Sequence, residues 1–197
     1  MSPPASPAYP IGPLTVVHYP APVLRKKAEP VTVFDAALSR FVEGVYVAMY
    51  DAKGVGLAAP QVGASVRLFV TDHAQREKDG RSDRRVFINP RIENASGEET
   101  YEEGCLSFPG IYANVTRWNR FDLVFHDLLG FEQRLTFDVE AGDFLGVVVQ
   151  HELDHLDGRV FVDHLTAAQL TLVKRKLREL EKDYKAETGK AGAVLRK

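Results

Sequence analysis

Apolar residues along "FDAALSRFVEGVYVAMYDAKG" (34–54) fall at Leu38, Phe41, Val42, Val45 and Met49. Steps of three and four put them on one face of a helix. Asp35 stands where an N-cap belongs and Gly54 where the helix ends. The following "GVGLAAPQVG" breaks the pattern with glycine and proline and predicts a loop. Strands are predicted at "VRLFVTD" (66–72), "RVFINP" (85–90), "RFDLVFHD" (120–127) and "QRLTFDV" (133–139). The hydrophilic "REKDGRSDRR" (76–85) predicts a surface hairpin excursion. Helical spacing returns from Gly142 to Leu156, with Asp143 as cap and Gly158 at C′. A last helix, Ala167 to Ala186, carries a narrow stripe of Leu170, Val173, Leu177, Leu180 and Tyr184.

The order helix, strands, helix, helix, without an internal repeat, predicts one α+β domain. Mostly antiparallel sheets would wrap around a central helix, with a further helix at the C-terminus. The expected domain spans 13–187. Residues 1–12 hold four prolines in the first ten and are expected to be disordered, and 188–197 to form a flexible tail. A chain of 197 residues, 45% hydrophobic and 26% charged, suits such a domain.

Charge and cysteine content narrow the function. A formal charge of −2 lacks the basic excess of a DNA-binding protein, so no direct DNA partner is expected. No apolar run approaches the ~20 residues of a membrane span. The start has neither a signal-peptide core nor the arginines of a transit peptide. Cys105 is the single cysteine, which excludes an intrachain disulfide and suits a reducing compartment. A cytoplasmic location is the expectation.

The chemistry concentrates in "VVQHELDHLDG" (148–158). On a helix, His151 and His155 share a face and can direct both imidazoles at one metal ion, while Glu152 reaches a water on it. The upstream "FLGVVV" implies deep burial. Burying such groups without partners costs roughly 2–7 kcal/mol each, and a metal offsets that cost. A catalytic site needs a third protein ligand and an open position. Cys105, in the turn-like "EEGCLSFPG", is one candidate; Asp157, Asp163 and His164 are others. An isolated cysteine reads equally as a small buried hydrophobe.

Three blocks in order, "GVGLAAPQ" (54–61), "EGCLS" (103–107) and "QHELDH" (150–155), resemble the signature blocks of the peptide deformylases. The similarity extends to "HYPAPVLRKKAEPV" (18–31), "FINP" (87–90) and "LDGRVFVDHL" (156–165). The C-terminal helix is similar to the type I form common in Gram-negative bacteria and organelles. The resemblance implies removal of the formyl group from N-formylmethionyl nascent peptides. It implies Cys105, His151 and His155 as ligands of one divalent metal, Fe2+, with Zn2+, Ni2+ or Co2+ as substitutes. It further implies Glu152 as general acid/base, Gln61 and the Leu106 backbone N–H as oxyanion donors, and Gly56 against the substrate backbone. Val147, Gly146 and Asp143 depart from the commoner arginine, alanine and glycine, and Tyr112 stands where some relatives carry a substrate-facing arginine.

The chemistry suits these residues. A metal lowers the pKa of a bound water from ~15.7 toward ~7, giving hydroxide at neutral pH, and Glu152 moves the proton. Val55, Tyr101, Phe144, Val147 and Val148 are candidates for a methionine pocket. Phe144, Val147 and Val148 precede His151 by seven, four and three residues and share its face. The resemblance also implies that the last helix, which carries the basic "KRKLR" (174–178), can dock on the ribosome; by its own pattern the cluster reads as a solvated helix face, balanced downstream by "ELEKD". Two other readings fit the bare helix motif: a zinc endopeptidase with its third ligand after His155, and a non-catalytic peptide- or ribosome-binding module with a structural metal.

Overall fold

The computed structural model describes residues 9–10, 12–73, 82–193 and 195. Residues 76–81 of the expected surface loop, and most of the proline-rich start, lie outside the described residues. Helix α1 (Ala36–Asp51) begins at Asp35, whose carboxylate accepts from Ala37 N and Leu38 N, both at 2.9 Å. Its stop differs from expectation. Lys53, at φ 58°, takes the left-handed position, with Lys53 N donating to Tyr50 O and Gly54 N to Met49 O, both at 2.9 Å. This Schellman pair closes the helix one residue before the glycine. Gly54 is required for space instead, since a Cβ there would lie 2.7 Å from Leu106 Cδ1.

Five strands follow in a meander: β1 (Gly56–Ala58), β2 (Leu68–Asp72), β3 (Arg84–Cys105), β4 (Phe108–His126) and β5 (Glu132–Asp138). They form one antiparallel sheet in chain order. The chain is therefore α+β, as its pattern implied, with the expected strands present. The extent of β3 and β4 was not anticipated. "RVFINP" is only the start of a 22-residue strand, and "RFDLVFHD" only the end of a 19-residue one. Residues 94–100 of β3 are exposed throughout, so no apolar alternation marks them; the backbone ladder to β4 holds them. Register shifts at Ile88/Arg91, Glu93/Ser96 and Gly104/Cys105 bend this ribbon.

Helix α2 (Leu145–Leu156) starts at Leu145 rather than Gly142, and Phe144 precedes it without a side-chain cap. Ten of its twelve residues are buried, which makes it the central helix. It ends at Gly158 as expected: φ is 67°, Gly158 N donates to His155 O at 3.2 Å and Arg159 N to Asp154 O at 2.8 Å. Helix α3 (Ala167–Thr188) opens on a Thr166–Gln169 capping box and ends at Gly189. It buries Val173 and Leu177 from the expected stripe, with Leu170 and Leu180 half-buried beside Phe108, Ile111 and Phe161. Beyond it, Ala193 N donates to Pro20 O at 2.8 Å. No helix among the described residues is long and apolar enough to cross a membrane.

Candidate metal centre and its cleft

α2 is fastened to the sheet by the residue before its first histidine. Gln150 accepts from Trp118 N at 2.8 Å and donates to Trp118 O at 3.0 Å, so its amide replaces a strand partner of β4. At Gly146 the helix meets Val139 so closely that a Cβ would lie 2.6 Å from Val139 Cγ2. These contacts set the helix so that His151 and His155 face the end of β3. There the donor atoms of Cys105, His151 and His155 lie within 4.8 Å of one another. Cys105 Sγ is 3.3 Å from His155 Nε2.

A carboxylate behind His151 was not assigned a role from the sequence. Glu103 Oε2 accepts from His151 Nδ1 at 2.8 Å. Arg117 grips Glu103 through Nε at 2.6 Å and Nη2 at 2.9 Å, and donates through Nη1 to Asp154 Oδ2 at 2.6 Å. His164 donates to the same oxygen at 2.8 Å. Burial pushes the Glu103 carboxyl up, but hydrogen bonds from Arg117 and His151 outweigh it and bring it down to about 2. Burial likewise raises Asp154, and His164 and Arg117 overcome it, holding that carboxyl well below the usual range. Glu103 lay inside the "EGCLS" block, two residues before Cys105. Arg117 lies in a strand stretch whose sequence gave no sign of burial.

Glu152 is buried, and its Oε2 has no hydrogen-bond partner. Burial pushes its carboxyl up to about 7, against weaker opposing pulls from His151 and the Ala58 N–H. Gly56 permits this placement, since a Cβ would fall 2.7 Å from Glu152 Oε1 and 2.8 Å from Val148 Cγ1. Burial and the neighbouring His151 press His155 well below the ordinary histidine value, so it is neutral and able to ligate. Burial also pulls at His151, but Cys105 and Glu103 raise it well above that value. Gln61 is buried in the 3-10 turn after β1. Its Oε1 accepts from Ala58 N at 2.9 Å, and its Nε2 is directed at Cys105 Sγ at 3.5 Å and Ser107 Oγ at 3.3 Å.

Gln61, Glu103, Cys105, His151 and Glu152 line a cleft of about 620 Å³. Val55, Gly56, Leu106, Phe144, Val147 and Val148 line it too. Tyr101 does not: it packs against the cluster around Phe121 and Val147, and its hydroxyl donates to Glu99 at 3.1 Å. His18, Glu102 and Tyr112 line the cleft without having been expected there from the residues themselves.

The polypeptide deformylase family model matches residues 13–170. The chain belongs to the polypeptide deformylase family. It is 46% identical to a peptide deformylase of Chromobacterium violaceum, over 86% of this chain and 96% of that relative. It superposes on the crystal structure of Arabidopsis thaliana peptide deformylase 1B with a TM-score of 0.84 at 35% identity, covering 92% of this chain and 98% of that one. A Legionella pneumophila peptide deformylase gives 0.77 at 37% identity, covering 90% and 99%. Within this deformylase fold, the alternatives for a third ligand downstream of His155 are all engaged elsewhere. Asp157 pairs with Arg67 at 2.7 Å, Asp163 with Arg25, and His164 with Asp154.

The donor set suits a divalent metal. Glu103 occupies Nδ1 of His151, which leaves Nε2 as the nitrogen available to a metal. A thiolate and two imidazoles match zinc and the neighbouring first-row ions, iron(II) included. Among the described residues this is the one group of three or more such side chains close enough to hold an ion.

Proposed function

We propose that this chain is a metal-dependent hydrolase that removes the formyl group from the N-terminal N-formylmethionine of new polypeptides in the cytoplasm. The observation that carries it is the meeting of Cys105, His151 and His155 beside an unpartnered Glu152 oxygen, in a chain of the deformylase family. Cys105, His151 and His155 would hold one divalent ion, which we assign as Fe2+ with Zn2+, Ni2+ or Co2+ as substitutes. When bound, that ion supplies Lewis acidity, which activates water at neutral pH.

The remaining work falls to the chain's own groups. Glu152 is buried and elevated, suited to take a proton from the attacking water at Oε2 and return it to the departing methionine amine. Gln61 Nε2 and the Leu106 N–H serve as donors to the developing oxyanion, where one donor contributes roughly 2.7–4 kcal/mol. Gly56 lets the substrate backbone approach, and Val55, Phe144, Val147 and Val148 offer an apolar surface for the methionine side chain. A formyl carbon carries only hydrogen, so it is less hindered than an internal peptide carbonyl. A site softened by a thiolate ligand suits it better than it suits an endopeptidase.

Formate release from formyl-Met-Ala, after anaerobic reconstitution with iron, tests the reading. Release well above that of a Glu152→Ala control supports it, and equal release overturns it. Cleavage of internal bonds in blocked peptides would favour the endopeptidase reading instead. Docking on the ribosome would use the exposed Lys174, Arg175 and Arg178 of α3, whose charge suits RNA. Cosedimentation that fails to weaken with salt would count against that surface.

A further inference from the structure

The N-terminal segment bridges two blocks of the site. Val17 N donates to Gln61 O at 2.8 Å and Tyr19 N to Ser107 O at 2.9 Å. The donors are two residues apart, the spacing at which an extended chain presents N–H groups to one side. Gln61 sits in the turn after β1, and Ser107 lies with Leu106 in the two-residue turn between the paired Cys105 and Phe108. Gln61 Nε2 donates to Ser107 Oγ at 3.3 Å, so the segment, Gln61 and Ser107 close a ring of hydrogen bonds. Gln61 and Ser107 are buried, and Val16 and His18, on either side of Val17, line the cleft. The segment is held at both ends. Tyr19 is buried, its ring stacks on Phe108 at 4.9 Å and its hydroxyl donates to Glu181 of α3 at 2.7 Å. Leu14 lies against α1, where a Cβ on Gly44 would meet its Cδ1 at 3.1 Å, and Tyr9 stacks on Phe41 at 4.8 Å.

We propose that residues 16–19 form a strap that positions the two oxyanion donors, with Val17 and Tyr19 as positioning residues acting through their backbone N–H groups. The inference rests on the deformylase reading and deepens it. The oxyanion needs the Gln61 amide and the Leu106 N–H aimed at one point, yet they come from separate elements. Among the described residues, the sheet ladder joins β1 to β2 and the end of β3 to β4, and does not join β1 to the end of β3. The strap supplies the missing link. Donors two residues apart on an extended chain stand roughly 7 Å from each other, so the strap spaces Gln61 O from Ser107 O as a fixed rod. Ala58 N holds the Gln61 side chain by its oxygen, and the strap holds the Gln61 backbone. Donors fixed in this way need no rearrangement as charge develops on the substrate.

The test removes each N–H in turn. Val17→Pro deletes the first, and the α-hydroxy analogue of tyrosine at position 19 replaces the second with an ester oxygen while keeping the side chain. For each, kcat and KM for formyl-Met-Ala are measured per bound metal ion, beside the absorption spectrum of the cobalt-loaded chain. Each change is expected to lower kcat about tenfold, short of the about 100–1,000-fold that follows outright loss of a donor, with KM within about twofold. The cobalt spectrum stays as in the wild type. In a Gln61→Ala background, where that donor is already gone, Val17→Pro is expected to cost less than about twofold, since the two changes act through one group. A kcat within about twofold of wild type in both variants overturns the inference. So does a Val17→Pro loss that persists undiminished in Gln61→Ala, which marks a general structural role. So does a changed cobalt spectrum, which moves the effect to Cys105 and away from the donors. Should Val17→Pro fail to fold, the ester variant decides by its kcat and spectrum. Formate release by the wild-type chain separates the failures. With it, only the strap falls; without it, the deformylase reading falls as well.

Discussion

Glu103 accepts from His151 Nδ1 at 2.8 Å, and the bond fixes which face of the imidazole is free. Held down at about 2 by Arg117 and His151 against the upward push of burial, Glu103 is a carboxylate and can only accept. Nδ1 carries the proton whether the ring is neutral or charged, so Nε2 is the nitrogen left for a metal. Glu103→Gln keeps the shape and removes the charge. Metal affinity is expected to fall about 10–100-fold, as for other residues behind a ligand. Competition with a chromogenic chelator, using cobalt, measures it, and wild-type affinity in the variant would refute the assignment. The same change leaves buried Arg117 with one fewer anion, so a lower melting temperature should accompany it.

Gly56→Ala is expected to damage catalysis more than folding. The new methyl would fall 2.7 Å from Glu152 Oε1 and 2.8 Å from Val148 Cγ1, so one of them must move. A displacement near 1 Å at a reacting group can cost about 100-fold. We expect kcat/KM for formyl-Met-Ala to drop by about that factor while the urea midpoint changes little. A variant with near-normal kcat/KM would show that Glu152 tolerates displacement.

The helices were legible because each buries one stripe: Leu38, Phe41, Val45 and Met49 in α1, Val173 and Leu177 in α3. The distal β3–β4 ribbon was not, because "NASGEET" is exposed and its order comes from pairing with a strand some twenty residues on in the chain. Cys105 and the histidines stood out through the three blocks. Arg117 did not, because an arginine in "VTRWNR" resembles a solvated strand residue until Glu103 and Asp154 are seen on either side of it. Tyr101 does not line the cleft, and the side to which a strand residue points follows from a register that sequence alone leaves open.

Gln61→Glu tests the oxyanion donor with little change in volume. The wild-type amide is anchored by Ala58 N on its oxygen, which fixes Nε2 toward Cys105. A carboxylate keeps that anchor and replaces the donor with an acceptor. The expected loss is about 100–1,000-fold in kcat, with a smaller change in KM. A loss confined to KM would mean that Gln61 binds the ground state and not the transition state.

Asp72 offers a pH-dependent test away from the centre. Its buried carboxylate accepts from Tyr50 OH and Ser82 Oγ at 2.8 Å and from Asp83 N at 2.9 Å, joining α1, β2 and the start of β3. Burial pushes this carboxyl up, but those hydrogen bonds prevail and hold it below the ordinary value of 3.8. A carboxyl depressed on folding contributes stability above its unfolded pKa and loses it as pH falls through the folded value. Asp72→Ala is therefore expected to cost about 1–3 kcal/mol near neutral pH, where three donors lose their acceptor. The gap between wild type and variant should narrow as urea unfolding is repeated at pH values falling below the ordinary carboxyl value of 3.8. A gap that stays constant with pH would show that the three donors value the side chain's shape and not its charge.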